Sequence, residues 1–197
     1  VTPQADAVLE LFRSTGAFLQ GHFLLTSGLH SGAYLQCALV LQHPEAAERL
    51  GRLLADELRS MAGPDIRTVA SPALGGLIIG HEVARALGAR FIFTERDATT
   101  KKMALRRGFT VTPGETVVVV EDVITTGGST HDVVEVLQAA GANVRAAGSI
   151  IDRSAGQASV GVPRAALATL AVATYDPAAC PLCQAGTAAV KPGSRPA

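Results

Sequence analysis

The stretch Val117-Val118-Val119-Val120-Glu121-Asp122-Val123-Ile124-Thr125-Thr126-Gly127-Gly128-Ser129-Thr130 decides how this chain folds. Four β-branched residues in a row, Val117 to Val120, read as a strand that is apolar on both faces. Such a strand must be covered on both sides, which in a chain of alternating elements means a parallel sheet between layers of helices. Two carboxylates, Glu121 and Asp122, end the strand. A run of hydroxyl and glycine residues, Thr125 to Ser129, then leads into a helix expected from about Ser129 to Ala140.

Working outward, the same alternation continues. Strands are expected over Ile66 to Ala70, Ala89 to Thr94 and Ala146 to Ile151, with a helix inside Leu74 to Leu87. Toward the start, Asp6 to Arg13 has a helical apolar face made by Val8, Leu11 and Phe12. A helix from Pro44 to Arg59 carries the stripe Leu50, Leu53, Leu54 and Leu58, with Glu45 and Glu48 at its positive end. His22 to Leu25 and Tyr34 to Leu39 read as short strands around the turn Ser27-Gly28-Leu29-His30-Ser31-Gly32. After Pro163 comes one more apolar segment, Ala166 to Val172, and from Pro177 the chain is rich in Ala, Gly and Pro with little pattern.

At 197 residues, one domain is expected, large enough to bury its own core. Seventeen basic and seventeen acidic residues cancel, which speaks against bulk binding to nucleic acid or to a membrane surface. Three cysteines do not describe a disulfide framework. Val1 to Gln20 contains Asp6, Glu10 and Arg13 and lacks the pattern of a signal peptide. No uncharged apolar run is long enough to span a bilayer. The expectation is a cytoplasmic globular protein.

The chemistry of the central stretch follows from where it sits. In an open α/β sheet, ligands bind beyond the carboxyl ends of the strands. Gly127 and Gly128 let backbone amides come close to a ligand, and the amides with the helix start suit a phosphate. Thr125, Thr126 and Ser129 add hydroxyl donors. Glu121 and Asp122 would repel that phosphate, so they fit sugar hydroxyls or a hard cation such as Mg²⁺. The plainer reading is a helix capped by Ser129. Neither the GxxxxGK[ST] loop nor a GxGxxG loop is present.

Glu121 to Ser129 resembles the phosphoribosyl-pyrophosphate (PRPP) motif of the type I phosphoribosyltransferases. The resemblance runs from Gly21-His22-Phe23 to the tail. Flanking features, namely Thr26-Ser27-Gly28, Leu105-Arg106-Arg107-Gly108 and Ile151-Asp152-Arg153, make the chain similar to the orotate phosphoribosyltransferases within that family. The resemblance implies an α/β type I phosphoribosyltransferase fold, with a mainly parallel central sheet flanked by helices. It implies a single domain over 1–197, with a small hood formed mainly by about 18–40 and a possible contribution from 165–197. The implied reaction moves ribose 5-phosphate from PRPP to N1 of orotate, a step in UMP synthesis that yields orotidine 5′-monophosphate and pyrophosphate. A purine or other pyrimidine phosphoribosyltransferase, or a non-catalytic PRPP-sensing regulator, are the competing readings.

By that resemblance, Thr125, Thr126, Gly127, Gly128 and Ser129 hold the 5′-phosphate, while Glu121 and Asp122 face the ribose hydroxyls. Mg²⁺ is bridged mainly by PRPP near the two carboxylates. Ser71-Pro72-Ala73-Leu74-Gly75-Gly76 resembles the pyrophosphate loop, with a non-proline cis peptide expected at Ala73-Leu74. The family often has Lys where this chain has Gly75, so one cation for the diphosphate is missing. Arg153 matches the residue that binds the orotate carboxylate, with Asp152 beside it to orient it; a planar guanidinium fork suits a planar carboxylate. Thr26 and Tyr34 belong to the hood, and the family often has Lys at the Thr26 position.

From Arg90 to Arg107 there are six basic and two acidic residues, and two of the chain's three lysines, Lys101 and Lys102, lie here. The third is Lys191. Cations poised at a departing pyrophosphate stabilise its charge. The stretch resembles the family's mobile catalytic loop, which implies a homodimer in which Arg96, Lys101 and Lys102 serve the neighbouring subunit's site. A solvated charged hairpin is the plainer reading. Finally, Cys180-Pro181-Leu182-Cys183 has zinc-knuckle spacing but supplies only two ligands. Cys37 is distant in sequence, and His22, His30, His43, His81 or His131 could complete a site. A disulfide or inert packing are the alternatives.

Overall fold

The computed structural model describes residues 2–25 and 27–192. Thr26, a candidate for the hood, lies outside the described residues.

The valine run becomes β6, Thr116–Ile124, three residues longer than the sequence suggests, so that Glu121 and Asp122 lie within the strand. It sits at the middle of a six-stranded sheet with β3 (Thr68–Pro72), β4 (Arg90–Arg96), β5 (Met103–Leu105), β7 (Asn143–Asp152) and β8 (Arg164–Thr169), in the order β5-β4-β3-β6-β7-β8. All neighbours are parallel except the edge strand β5, which returns antiparallel to β4. The expected βα alternation and parallel sheet are therefore present.

Strand alternation sorts the valines into two cores. Val118 and Val120 face the side covered by α1 (Pro3–Ser14), α2 (Cys37–Leu41), α3 (Pro44–Ala62) and α4 (Gly76–Leu87), where they meet Val69, Ile150, Leu54, Leu58, Ile79 and Val83. Val117 and Val119 face α5 (Gly128–Ala139), meeting Val133, Val134 and Leu137. All four valines are fully buried.

Three segments differ most from the sequence reading. Tyr34 to Leu39 is not one strand: β2 is His30–Leu35, and the chain turns at Gln36 into α2. Cys37, Val40 and Leu41 are buried there against the helical layer, a helical spacing that tertiary packing prefers over continued pairing. The first hairpin strand, β1 (Phe18–Leu24), starts four residues earlier than His22. The late segment, unpatterned in sequence, contains β9 (Thr174–Tyr175), a 3-10 turn at Pro177–Ala179 and the short α6 (Pro181–Gln184). β9 joins β1 and β2 in a separate antiparallel sheet, and Val190 bridges to Phe23 on its other edge.

One buried ion pair organises the end of β7. Asp152, almost fully buried, accepts from Arg164 Nη1 at 3.0 Å, from the Ser154 amide and hydroxyl at 2.7 and 2.6 Å, and from the Gly156 amide at 2.9 Å. Burial alone would raise its pKa; the Ser154, Arg164 and Gly156 bonds outweigh burial and hold it below the ordinary carboxylate value. Arg164 also donates to the Ala158 carbonyl and the Ser154 hydroxyl. Removing one partner of such a pair strands a buried charge. Arg164→Met is expected to lower stability by about 3–5 kcal/mol. The double variant Asp152→Asn, Arg164→Met should recover part of that loss, as read from urea unfolding midpoints; equal losses in both variants would mean that the pair itself is unimportant.

Candidate active site

Going from β3 to β4 the chain moves to one side of the sheet, and from β6 to β7 to the other. The reversal lies between β3 and β6, the place where an open α/β sheet leaves a crevice at its carboxyl edge. A cavity of about 920 Å³ opens there. Ala73, Leu74 and Gly75 from the β3–α4 turn, Asp122 from β6, Tyr34 from β2, and Lys191 line it, among others. A smaller cavity of about 80 Å³ is lined by Glu121 and the run Val123 to Thr130.

The acidic pair is thus divided between two cavities, because neighbours in a strand point to opposite faces. Asp122 shares the face of Val118 and Val120 and lies against Gly75. Glu121 shares the face of Val117 and Val119, where the Thr130 hydroxyl donates to its Oε2 at 3.1 Å. Burial, then the charge of Asp122, pushes the Glu121 carboxyl up to about 8. Burial raises Asp122 as well, opposed by the Val123 amide at 2.8 Å. Both remain partly accessible to solvent. A cation or a set of hydroxyl donors arriving at this edge would therefore find two carboxylates whose ionised forms need support.

The loop between β6 and α5 is shaped for an anion. Gly127 has φ 84°, a left-handed conformation, and caps α5 without any side-chain bond. A Cβ here would also come within 3.0 Å of Val160 and 3.2 Å of Ala158, so the loop is pressed against the segment that Arg164 holds. Gly127, rather than Ser129, is the cap, and the first turn of α5 carries no acidic residue. Thr125, Thr126, Gly128 and Ser129 are exposed around the small cavity. The amides of such a helix start, with its dipole, favour a phosphate.

Gly75 gains an explanation that the sequence did not offer. A Cβ at this position would sit 2.7 and 2.8 Å from the two oxygens of Asp122. The residue is small because the Asp122 carboxylate occupies the space beside it, and a lysine here would have to displace that group. The Ala73-Leu74 peptide is cis, as expected, and the Ala73 amide donates to the Thr94 carbonyl at 2.9 Å.

Arg153 lies just beyond β7, half-buried, with its amide bonded to the Ile124 carbonyl at 2.8 Å. Burial lowers its pKa while Tyr34 opposes that shift, so the guanidinium and the phenol are electrostatic neighbours. Its Nε is a buried donor without a partner, a costly arrangement that an anionic ligand would relieve. Asp152 does not orient it: that carboxylate is engaged by Arg164, Ser154 and Gly156.

The basic stretch is a hairpin, β4 to β5, with Asp97 Oδ1 accepting from the Thr99 and Thr100 amides at its tip. Arg96 pairs with Asp132 of α5 at 2.8 Å and stands 3.5 Å from the Ser129 hydroxyl, at the rim of the β6–α5 loop of its own chain. Lys101 donates to the Ala98 carbonyl at 2.7 Å. Neither Lys101 nor Lys102 lines the two cavities of its own chain.

Two contributors were missed in the sequence. Arg164 braces the backing of the β6–α5 loop, and only the long-range pairing with Asp152 identifies it. Lys191 reaches the large cavity from the far end of the chain; its one visible signal was being the sole lysine outside the basic stretch.

The phosphoribosyl transferase domain model matches residues 38–162. Orotate phosphoribosyltransferase of Heliobacterium modesticaldum is 54% identical over 191 residues, covering 96% of this chain and 98% of the relative. The chain belongs to the orotate phosphoribosyltransferases of the type I phosphoribosyltransferase family. That of Pelotomaculum thermopropionicum is 53% identical over 190 residues, covering 96% of this chain and 97% of its own. Among solved structures, orotate phosphoribosyltransferase from Aeropyrum pernix superposes with a TM-score of 0.65 at 26% identity, over 83% of this chain and 93% of that one. Family membership accounts for the fold and for the crevice between β3 and β6. No helix among the described residues is long and apolar enough to cross a membrane.

The Glu121 shift predicts a pH dependence. Between its ordinary value of 4.5 and about 8, the folded chain holds a proton that the unfolded chain has released. Stability should therefore fall as pH rises through that window and level off above it. Glu121→Gln, which cannot ionise, should match the wild type near pH 5 and exceed it near pH 8 by an amount on the order of a few kcal/mol. Urea unfolding of both proteins across this range checks it; parallel pH profiles would remove the assigned shift.

Proposed function

We propose that this chain transfers ribose 5-phosphate from PRPP to N1 of orotate, giving orotidine 5′-monophosphate and pyrophosphate. The observation that carries this reading is one sheet edge presenting a phosphate loop, two unrelieved carboxylates and a half-buried arginine with an unpartnered donor. The 5′-phosphate would rest on the amides and hydroxyls of Thr125 to Ser129. Glu121 and Asp122 would receive the ribose hydroxyls from their two sides of β6. The diphosphate would lie at Ala73, Leu74 and Gly75. Orotate would sit by Tyr34 with its carboxylate on Arg153, and Thr26 belongs to the same proposed pocket, in a hood formed by about 18–40 with the C-terminal segment. As the C1–oxygen bond breaks, the diphosphate leaves with the bonding pair, and orotate N1 bonds to C1 and loses its proton to the departing diphosphate or to solvent.

Mg²⁺ fits this edge, because burial raises both Glu121 and Asp122, and the charge of Asp122 raises Glu121 further, so their ionised forms lack a positive partner. When bound with PRPP it supplies charge neutralisation for the diphosphate. The two carboxylates would hold it through PRPP and the ribose hydroxyls. Arg96, Lys101 and Lys102 supply further positive charge in this reading, the lysines acting in a neighbouring copy of the chain, since they line neither cavity of their own. A cytoplasmic location goes with the proposal, as three cysteines describe no disulfide framework.

The direct test offers PRPP and Mg²⁺ with a panel of orotate, uracil, adenine, guanine and hypoxanthine, following pyrophosphate release. Release with orotate alone is expected. Release with a purine would move the substrate assignment, and release with none would favour a PRPP-sensing protein. Within the panel, Arg153→Ala should lower kcat/KM for orotate by about 30-fold to several thousand-fold, the loss of roughly 2–5 kcal/mol from a paired charge contact. PRPP affinity should change little, and Arg153→Lys should recover only part. Equal losses for both substrates would take Arg153 out of the base pocket.

Assembly is tested by complementation. Asp122→Asn subunits and Lys101→Ala, Lys102→Ala subunits are each expected to be severely impaired alone. Mixed dimers should regain activity at the one site that combines both intact parts. No recovery in verified mixed dimers would mean that the loop serves its own subunit.

A further inference from the structure

The C-terminal segment edges the small sheet and delivers Lys191, but the cysteines within it have no assigned role. Cys180 is the cap residue of α6 and Cys183 lies in its first turn, three positions on, so the two thiols share one side. The segment packs on the small sheet at the point where β1 and β2 present two histidines. Leu24 pairs with His30 across the hairpin, and His22, two residues before Leu24, lies on the same face. Gly32, on that face of β2, has no side chain, and Leu182 fills the space, 3.9 Å from where a Cβ would stand.

The four side chains converge. The Cys180 sulfur lies 3.5 Å from His22 Nε2, and the Cys183 sulfur 3.8 Å from the same nitrogen and 3.3 Å from His30 Nδ1. The two ring nitrogens face each other at 2.8 Å. All four donor atoms fall within 4.8 Å of one another. Ligand bonds of about 2.0–2.3 Å in a tetrahedral zinc centre place donor atoms roughly 3.3–3.8 Å apart. The three sulfur–nitrogen distances already match, and the nitrogen pair would need to open by about half an ångström.

The surroundings favour a ligand rather than a chance cluster. His22 Nδ1 lies 2.9 Å from the Thr187 carbonyl and 3.1 Å from its hydroxyl. A proton on Nδ1, donated to that carbonyl, leaves the Nε2 lone pair aimed at the cysteines, the outer bond by which metal-bound histidines are oriented. His22, His30 and Cys180 are each less than a tenth exposed. Thiols are weak donors, so the two sulfurs make only weak hydrogen bonds to the imidazoles they face. Two thiolates, two neutral imidazoles and one Zn²⁺ sum to zero charge, which suits a buried place, and the two thiol protons go to solvent.

We propose that His22, His30, Cys180 and Cys183 form a structural zinc site that staples the C-terminal segment to the β1–β2 hairpin. The staple has work to do. β9 pairs over two residues, and α6, at four residues, cannot hold itself together as an isolated helix. Val190 donates to the His22 carbonyl at 2.8 Å and accepts from the Leu24 amide at 2.9 Å, and Lys191 follows directly into the large cavity. Fixing residues 180–187 by metal therefore fixes the approach of Lys191 to the crevice that holds Asp122.

The test does not depend on the proposed reaction. The chain, carrying no histidine tag, is purified under reducing conditions from zinc-supplemented cells without chelators, and its metals are counted by plasma mass spectrometry. One zinc per chain is expected, falling at least tenfold in Cys183→Ser and in His30→Asn. Cobalt exchanged into the wild type should show tetrahedral d–d absorption with thiolate charge transfer. A strong chelator applied to the folded wild type should speed proteolytic cleavage within 171–192 while the central sheet stays resistant, a readout that does not rely on any variant folding. Less than a tenth of a zinc per chain, iron in its place, an octahedral cobalt spectrum, or tail protection that survives metal removal or a Cys180–Cys183 disulfide would overturn the proposal.

Discussion

Everything at the carboxyl edge of this protein depends on one constraint: β6 is buried on both faces, yet carries two adjacent acids near its end. A strand has only two faces, and the helical layers claim both. Val117 to Val120 satisfy each layer in turn, and the alternation continues into Glu121 and Asp122. One acid must then emerge beside α5 and the other beside α4. The crevice on each side of the strand receives a carboxylate as a result of periodicity. Gly75 and Gly127 give way on the two sides, the first to a carboxylate and the second to the backing segment 158–160.

Three carboxylates close to this edge show how environment separates support from chemistry. Asp152 is nearly inaccessible, yet Ser154, Arg164 and Gly156 satisfy it so fully that its pKa falls. Glu121 and Asp122 are more open to solvent, yet both are raised: burial exceeds the donors around each, and the charge of Asp122 adds to the rise of Glu121. A satisfied acid holds structure together, whereas an unsatisfied pair at the mouth of a crevice is held ready for a ligand to complete. Even the buried thiol of Cys37 registers their field: burial raises it first, and Asp122 and Glu121 raise it further.

Much of this was legible from local pattern. The valine run and the leucine stripe of α3 each carry their own periodicity, and the small residues after the valines mark a loop, so the sheet, that loop and the helical layers are legible from local pattern. What local pattern cannot carry is pairing across distance. Gly75 looks like a lost cation until Asp122 is seen beside it. Asp152 looks like a partner for its neighbour Arg153 until Arg164, twelve positions on, takes it. Cys37 to Leu41 has no proline or glycine to end the preceding strand, and only packing against the helical layer turns it into α2. The cysteine spacing was visible, but which histidines meet it depends on the parity and the bulge of a distant hairpin.

The small sheet is assembled from the two extremes of the chain. β1 and β2 lie within 18–35, whereas the segments on their outer edges, β9 and Val190, come from 174–190. During synthesis the hairpin leaves the ribosome early and waits with both edges open until more than a hundred further residues have been added. The central sheet between them can form meanwhile from contacts that are much closer in sequence. The roof of the crevice is therefore the last part to close. A nascent or truncated chain can own a folded central sheet and a complete β6–α5 loop while the crevice above them is still unfinished.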